Sequence, residues 1–191
     1  MPRMSEAEKQ RSHRRILDAA ARLFRENGIE ATSVAEVMNA AGMTHGGFYR
    51  HFGSKEELVA AAFRHAVDGV VAGIEEEETP EGRAGERDAY IAKYFSEAHL
   101  KDLGKGCPLA ALGAELARAG QAPLHEGAEA SIRMAEVLRN SADPDNTQGL
   151  AIMALMMGTI TLARLAENPE DARRTLEAGK TGAALLQENW K

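Results

Sequence analysis

Cys107 is the only thiol among 191 residues, and it stands between Gly106 and Pro108. Proline suits the first helical position, because a helix start leaves that N–H unbonded anyway. The thiol is therefore expected at or just before a helix N-terminus, where free N–H groups carry partial positive charge and favour thiolate. Lys105, two residues back, and Lys101 add charge of the same sign. A thiolate there can react with an oxidant or an electrophile, which makes Cys107 a candidate sensor. The plainer alternative is a small buried hydrophobe, since free cysteine is among the most buried residue types. An enzyme built on Cys107 would need a base and an orienting group, and no spacing commits a His to it. A single cysteine also excludes an intrachain disulfide and a Cys₄ or Cys₂His₂ zinc site within one chain. His65 and His99 lack a second ligand at metal spacing, and no phosphate loop or dinucleotide fingerprint occurs, so neither metal nor cofactor is expected.

The second group of chemistry-bearing residues is the run Thr44-His45-Gly46-Gly47-Phe48-Tyr49-Arg50. It follows a short helical pattern, Ser33–Ala41, through the turn Gly42-Met43-Thr44, and continues to about Phe52. Two short helices joined by a Gly-containing turn have helix-turn-helix dimensions. In that motif the second helix offers its N-terminal half to base edges in the major groove. Two glycines in a short helix cost roughly 1 kcal/mol each relative to Ala. They make sense where backbone must approach a surface closely, such as a sugar–phosphate edge. Arg50 is placed to contact DNA, and Thr44 and His45 to reach phosphate or base edges. Lys55 opens the next helix, where the N-terminal dipole also favours an anion, and Thr32 and Ser33 are phosphate candidates of the same kind. Phe48 and Phe52 are expected in the core. The net charge of −6 hides a split: residues 1–52 hold eight Lys/Arg against six Asp/Glu, and the rest hold fifteen against twenty-three. Lys9, Arg11, Arg14 and Arg15 cluster at one end; Arg3, Lys9 and Arg11 either touch the minor groove or backbone or form a solvated tail.

These residues must be positioned by helices, because helical spacing recurs along the chain and no useful strand period does. With 44% hydrophobic and 27% charged residues the chain is ordinary globular material. Capping boxes are expected at Ser5/Glu8, Ser33/Glu36 and Ser54/Glu57. The first helix should end at Asn27-Gly28. A loop is expected from Glu75 through Gly85, then a helix from about Glu86 to Gly104 carrying Ile91, Tyr94, Phe95 and Ala98 on one face. Further helices start at Pro108 and Pro123, and the last two run at about 145–166 and 170–187. The fold class is all-α with about nine helices. Residues 1–54 form a three-helix helix-turn-helix unit and 55–191 a helical body. The longest apolar stretch, Leu150 to Ala163, is too short to span a bilayer, and nothing reads as a secretory signal, so a cytoplasmic protein is expected.

The stretch from Arg15 to Leu58, with Phe48-Tyr49-Arg50-His51-Phe52 and Ser54-Lys55 as its most specific part, resembles the TetR family of bacterial transcriptional repressors. Gly106-Cys107-Pro108-Leu109 resembles a segment of one branch. Met38 and Gly47 depart from the commonest motif, where Ala is frequent at each position. The resemblance implies phosphate contacts by Tyr49 and His51; Gly46 is a DNA-binding candidate by the close backbone approach that glycine allows. It also implies a homodimer paired through its last two helices and a double-stranded operator as partner. It further implies a small-molecule effector whose binding in the body changes the spacing of the two motifs. Tyr94, Met153 and Met157 join Cys107 as candidate ligand-binding or sensing residues. Ala178, Gly179, Gly182 and Ala183 are small residues at helical spacing that would let another helix approach closely. The rival readings are a helical interaction protein that binds no DNA and a small enzyme using Cys107.

Overall fold

The computed structural model describes residues 5–140 and 143–190, so Arg3 lies outside the described residues. Among them are nine α-helices, two 3₁₀ segments and no strand. Helix α1 spans Glu6–Asn27 and starts with the expected capping box: Ser5 accepts from the Glu8 N–H while Glu8 accepts from that of Ser5. It ends where Gly28, at φ +87°, donates to the Phe24 carbonyl at 2.8 Å. Helix α2 spans Val34–Ala40 behind an equally complete box at Ser33 and Glu36. The third box is only half formed. Ser54 caps α3, Lys55–Glu75, but Glu57 accepts from the Gly53 N–H at 2.6 Å rather than from that of Ser54.

Three expectations about helix limits need correction. Residues 80–85 are not loop: Thr79 accepts from the Gly82 N–H at 3.0 Å and Pro80 takes the first position, so α4 runs Pro80–Tyr94. The single helix expected over 86–104 is broken after Phe95, where Ser96 caps a short α5, Glu97–Lys101. A 3₁₀ segment, Leu103–Lys105, then leads to α6, Pro108–Leu116, and the helix that Pro123 was expected to start begins at Gln121 instead, giving α7, Gln121–Leu138. The last two helices are α8, Thr147–Arg164, and α9, Pro169–Asn189.

Helix α3 carries the chain out of the N-terminal unit and packs against α1 and α7; α7 packs on α8, and α8 pairs most extensively with α9. Arg133 ties α7 to α3 through Glu75 at 2.6 Å and Asp68 at 2.5 Å, and Arg64 pairs side-on with Glu126 across the same helices. The buried core is continuous from Ile16, Phe24 and Phe48 to Ile152, Ile160 and Leu176. The small residues of α9 serve this packing. A Cβ at Gly179 would come 2.8 Å from Phe95 Cε1, one at Gly182 would come 3.0 Å from Leu155, and Ala183 is fully buried. Three of the four small residues thus admit α8 and its neighbours in the same chain; only Ala178 is exposed. No helix among the described residues is long and apolar enough to cross a membrane.

Candidate nucleic-acid interface

The expected recognition helix is a 3₁₀ segment, His45–Arg50, rather than an α-helix reaching Phe52. Two consecutive glycines weaken helix propensity there. Thr44 precedes it with extended backbone, and its side chain makes no capping hydrogen bond. The turn before it needs Gly42, which sits at φ +67°. Arg15 reaches over that turn and donates to the Ala41 carbonyl, so this member of the basic cluster clamps the motif. Phe48 and Phe52 are buried as expected and stack with ring centroids 5.8 Å apart.

A 3₁₀ segment repeats every three residues, so side chains at i and i+3 eclipse. Gly46 therefore lies under Tyr49, and Gly47 under Arg50. Phe48 fills the row between them and anchors the segment inward. Tyr49 is 71% exposed, and Thr44, His45, Gly46 and Arg50 are exposed beside it. A Cβ at Gly46 would meet nothing within 4 Å, so nothing in the protein itself requires glycine there. Gly46→Ala is accordingly expected to leave thermal stability unchanged or raise it by up to about 1 kcal/mol. The same variant should lose DNA affinity. Measuring both on one preparation checks this; full affinity in Gly46→Ala would remove the close-approach role.

The remaining sequence candidates are placed differently. Thr32 is buried and its hydroxyl donates to the Gly28 carbonyl at 2.7 Å, so it serves the α1–α2 connection rather than a phosphate. The Ser33 hydroxyl both accepts from Glu36 N–H and donates to the Glu36 carboxylate at 2.7 Å, which leaves it no proton for an outside anion. Lys55 is half-buried and reaches back to the Glu30 carbonyl at 3.4 Å, while the Glu57 carboxylate occupies the start of α3. The His51 ring turns toward His13, 5.6 Å away, and both its nitrogens are buried without a partner. Burial first, then the charges of His13, Lys9 and Arg50, push its pKa down. A phosphate contact by His51 requires the ring to rotate.

In the body the structure brings Cys107 and Tyr94 together and opposes the thiolate argument. Cys107 does cap α6, with the Ala110 N–H 3.5 Å from Sγ, but the residue is 4% exposed and burial pushes its thiol pKa up. The side chain of Lys105 is in solvent, leaning toward Asp102. Tyr94 faces the thiol closely enough for its hydroxyl to oppose the upward push of burial, although the two form no well-aligned hydrogen bond. Met153 and Met157 pack half-buried against the core from the flank of α8. Sequence reasoning missed Arg164 and Tyr90 and weighed His99 only as a metal ligand; these three join Tyr94 in a buried polar cluster, and no local spacing links Arg164 of α8 to the residues of α4 and α5.

Two contacts tie the body to the N-terminal unit. Glu115 of α6 accepts from the Ile29 N–H at 2.7 Å, and Arg25 of α1 donates to the Gly104 carbonyl at 2.7 Å.

The family described as "Bacterial regulatory proteins, tetR family" matches residues 16–62. An uncharacterized HTH-type transcriptional regulator of Mycobacterium tuberculosis (strain CDC 1551 / Oshkosh) is 32% identical over 164 residues, covering 79% of this chain and 83% of that protein. The HTH-type transcriptional repressor KstR2 of Rhodococcus jostii is 45% identical over 53 residues, 28% of this chain and 26% of its own length. A TetR transcriptional regulator from Chloroflexus aurantiacus J-10-FL superposes with a TM-score of 0.70 at 23% identity, over 93% of this chain and 96% of its own. A TetR-family regulator from Cytophaga hutchinsonii superposes with a TM-score of 0.67 at 20% identity, over 98% and 100%. These two likenesses concern the fold.

Proposed function

The chain belongs to the TetR family of bacterial transcriptional regulators, and from there we propose that it is a repressor: a homodimer that holds a palindromic operator until an effector bound in the body draws its two DNA-reading units out of register. The DNA-reading unit is residues 1–54 and the body residues 55–191. The observation that carries the reading is the exposed face of Thr44, His45, Gly46, Tyr49 and Arg50 on a segment anchored by buried Phe48. A bundle that bound only protein would have no use for two glycines under a tyrosine and an arginine. The enzyme alternative is set aside by the family, whose members are regulators.

Dimerisation through α8 and α9 is supported by what these helices leave exposed. Leu162 is 62% exposed, Leu165 73% and Leu185 56%, with Leu150, Ala154, Gly158 and Ala178 exposed on the same two helices. Contiguous apolar surface of this kind marks an interaction site, and two-fold dimers are the commonest closed oligomer. The signal is expected to be a ligand held without a covalent bond. An oxidant or electrophile acting on Cys107 would need the thiolate that burial disfavours. The Glu115–Ile29 and Arg25–Gly104 contacts are the routes by which a shift of α6 or of residues 102–107 would reach α1 and α2.

Selection of bound duplexes from a random pool, with sedimentation of the free protein, tests the reading. Two-fold related sites are expected, with recognition segments in successive major grooves about 34 Å apart, or a wider variant holding two dimers. Asymmetric sites only, or a monomer at micromolar concentration, would overturn it.

A further inference from the structure

Behind the α1 contact converge polar groups that lack a well-formed hydrogen bond among the described residues. The Tyr90 and Tyr94 hydroxyls, His99 Nε2, and Nε and Nη2 of Arg164 are all buried without a hydrogen-bond partner. They come from α4, α5 and the last turn of α8. Tyr94 is 2% exposed, and its ring lies 4.5 Å from that of His99 and 6.0 Å from that of Tyr90. The Arg164 guanidinium lies against the 102–107 segment, so that a Cβ at Gly106 would come 2.9 Å from Nη2.

The unsatisfied groups have one character. A guanidinium can only donate, and a tyrosine hydroxyl or neutral imidazole can donate as well. Burial, then the charges of Arg164 and Lys93, bring the His99 pKa down to about 4, so its ring is neutral at pH 7. Asp102, the acid that acts on His99, is bonded instead to the Lys105 backbone N–H at 3.0 Å. A buried charged donor left unpaired is costly, and such a group calls for an acceptor of opposite charge. Nε and Nη2 together form the edge of arginine that grips a planar carboxylate with two parallel bonds. Arg64 uses that same edge on Glu126 in this protein. Arg164 also lines a groove of about 420 Å³ between α5 and the α8–α9 corner, with Leu100, Lys101, Ala163, Ala172 and Arg173. Its walls are largely apolar, and its rim also carries Glu167 and Glu97, the latter paired with Lys101 at 3.0 Å and Arg173 at 3.4 Å, so Arg164 is the cation there without a carboxylate partner among the described residues; the tyrosines and His99 lie behind the groove rather than in its lining.

We propose that this cluster is the effector site and that the effector is a small carboxylate with an apolar remainder. Its carboxylate is held side-on by Nε and Nη2 of Arg164 and by the Tyr94 hydroxyl, with its apolar part along Leu100 and the ring faces. The assignment rests on the effector-responsive reading above and gives that effector a chemical class. It also supplies a route outward. An anion that draws the guanidinium off Gly106 loosens the 102–107 segment, whose Gly104 carbonyl holds Arg25 of α1.

The test titrates the full-length protein with benzoate and octanoate. Benzamide and octanol serve as uncharged counterparts and inorganic phosphate as a tetrahedral anion. Thermal unfolding and calorimetry read binding, and a gel shift on selected operator reads DNA retention separately. Carboxylates should raise the unfolding temperature and bind at least tenfold more tightly than their uncharged counterparts and phosphate. Arg164→Gln and Arg164→Lys should each weaken carboxylate binding at least tenfold, the lysine because it keeps the charge but lacks the two-toothed edge. Tyr94→Phe should weaken binding about threefold while the unliganded protein still folds, since the hydroxyl lost makes only a poorly aligned contact with Cys107. If Arg164→Gln does not fold, the other two variants decide. Carboxylates that fail to bind, that bind no better than benzamide or phosphate, or that bind all variants equally overturn the site. A protein that binds its operator but no carboxylate loses only this assignment. One that binds carboxylate but no operator keeps the site and loses the regulator reading.

Discussion

Arg50→Ala is expected to weaken operator binding by roughly 30-fold to 10⁴-fold and to relax the preferred sequence at one base step in each half-site. The side chain is exposed on the 3₁₀ segment, so its removal leaves no cavity. A bidentate arginine contact to a guanine edge discriminates by about 1–3 kcal/mol, and a two-fold dimer loses two of them. Tyr49→Ala is the contrast. If its hydroxyl reaches only phosphate, all duplexes should weaken alike, because phosphates carry no sequence information. Repeating the duplex selection with each variant separates the two roles. A selected-site profile unchanged by Arg50→Ala would leave that residue at most a phosphate contact.

Gly149→Ala should cost about 3 kcal/mol of stability, lowering the unfolding temperature by roughly 6–12 °C for a chain of this size. A Cβ there would fall on the Ala135 carbonyl of α7, 2.7 Å from its carbon. The obstacle is backbone, which cannot swing aside as a side chain can, so α7 and α8 would have to separate. Separation would disturb Gln148, which is fully buried, accepts from the Asn140 N–H at 2.7 Å and donates to the Leu186 carbonyl at 2.9 Å. Gly69→Ala in α3 is the control, since nothing lies within 4 Å of a Cβ there and helix propensity improves by up to about 1 kcal/mol. Calorimetry of both variants checks this; equal unfolding temperatures would mean that the close approach of α7 and α8 is not what holds residue 149 to glycine.

Much of this protein was legible residue by residue. Ser5 with Glu8 and Ser33 with Glu36 form the caps their spacing implies, Gly28 ends α1, Gly42 makes the turn, and Pro108 and Pro169 sit in the first turns of their helices. Each is a contact within a few residues, so the chain alone determines it. The same holds for the family motif over 16–62, whose residues lie in one stretch. Where local signals competed, a cap overrode the composition around it. Thr79 with Pro80 started α4 inside a glycine-bearing stretch that read as loop, and Ser96 stopped a pattern that read as continuous. Side-chain commitments were harder still. Thr32 and Ser33 look like phosphate donors by type, yet both hydroxyls are used inside the fold. Cys107 lies at a helix N-terminus as its neighbours indicate, but its titration follows burial, which depends on every element packed around it. The Arg164 cluster had no signature as a unit, although Tyr94 stood among the candidates: its groups come from positions 90 to 164, and only the folding of α4, α5 and α8 onto one another removes them from water together. Caps and turns are local in sequence, whereas burial and the partners it denies are decided by how distant helices pack.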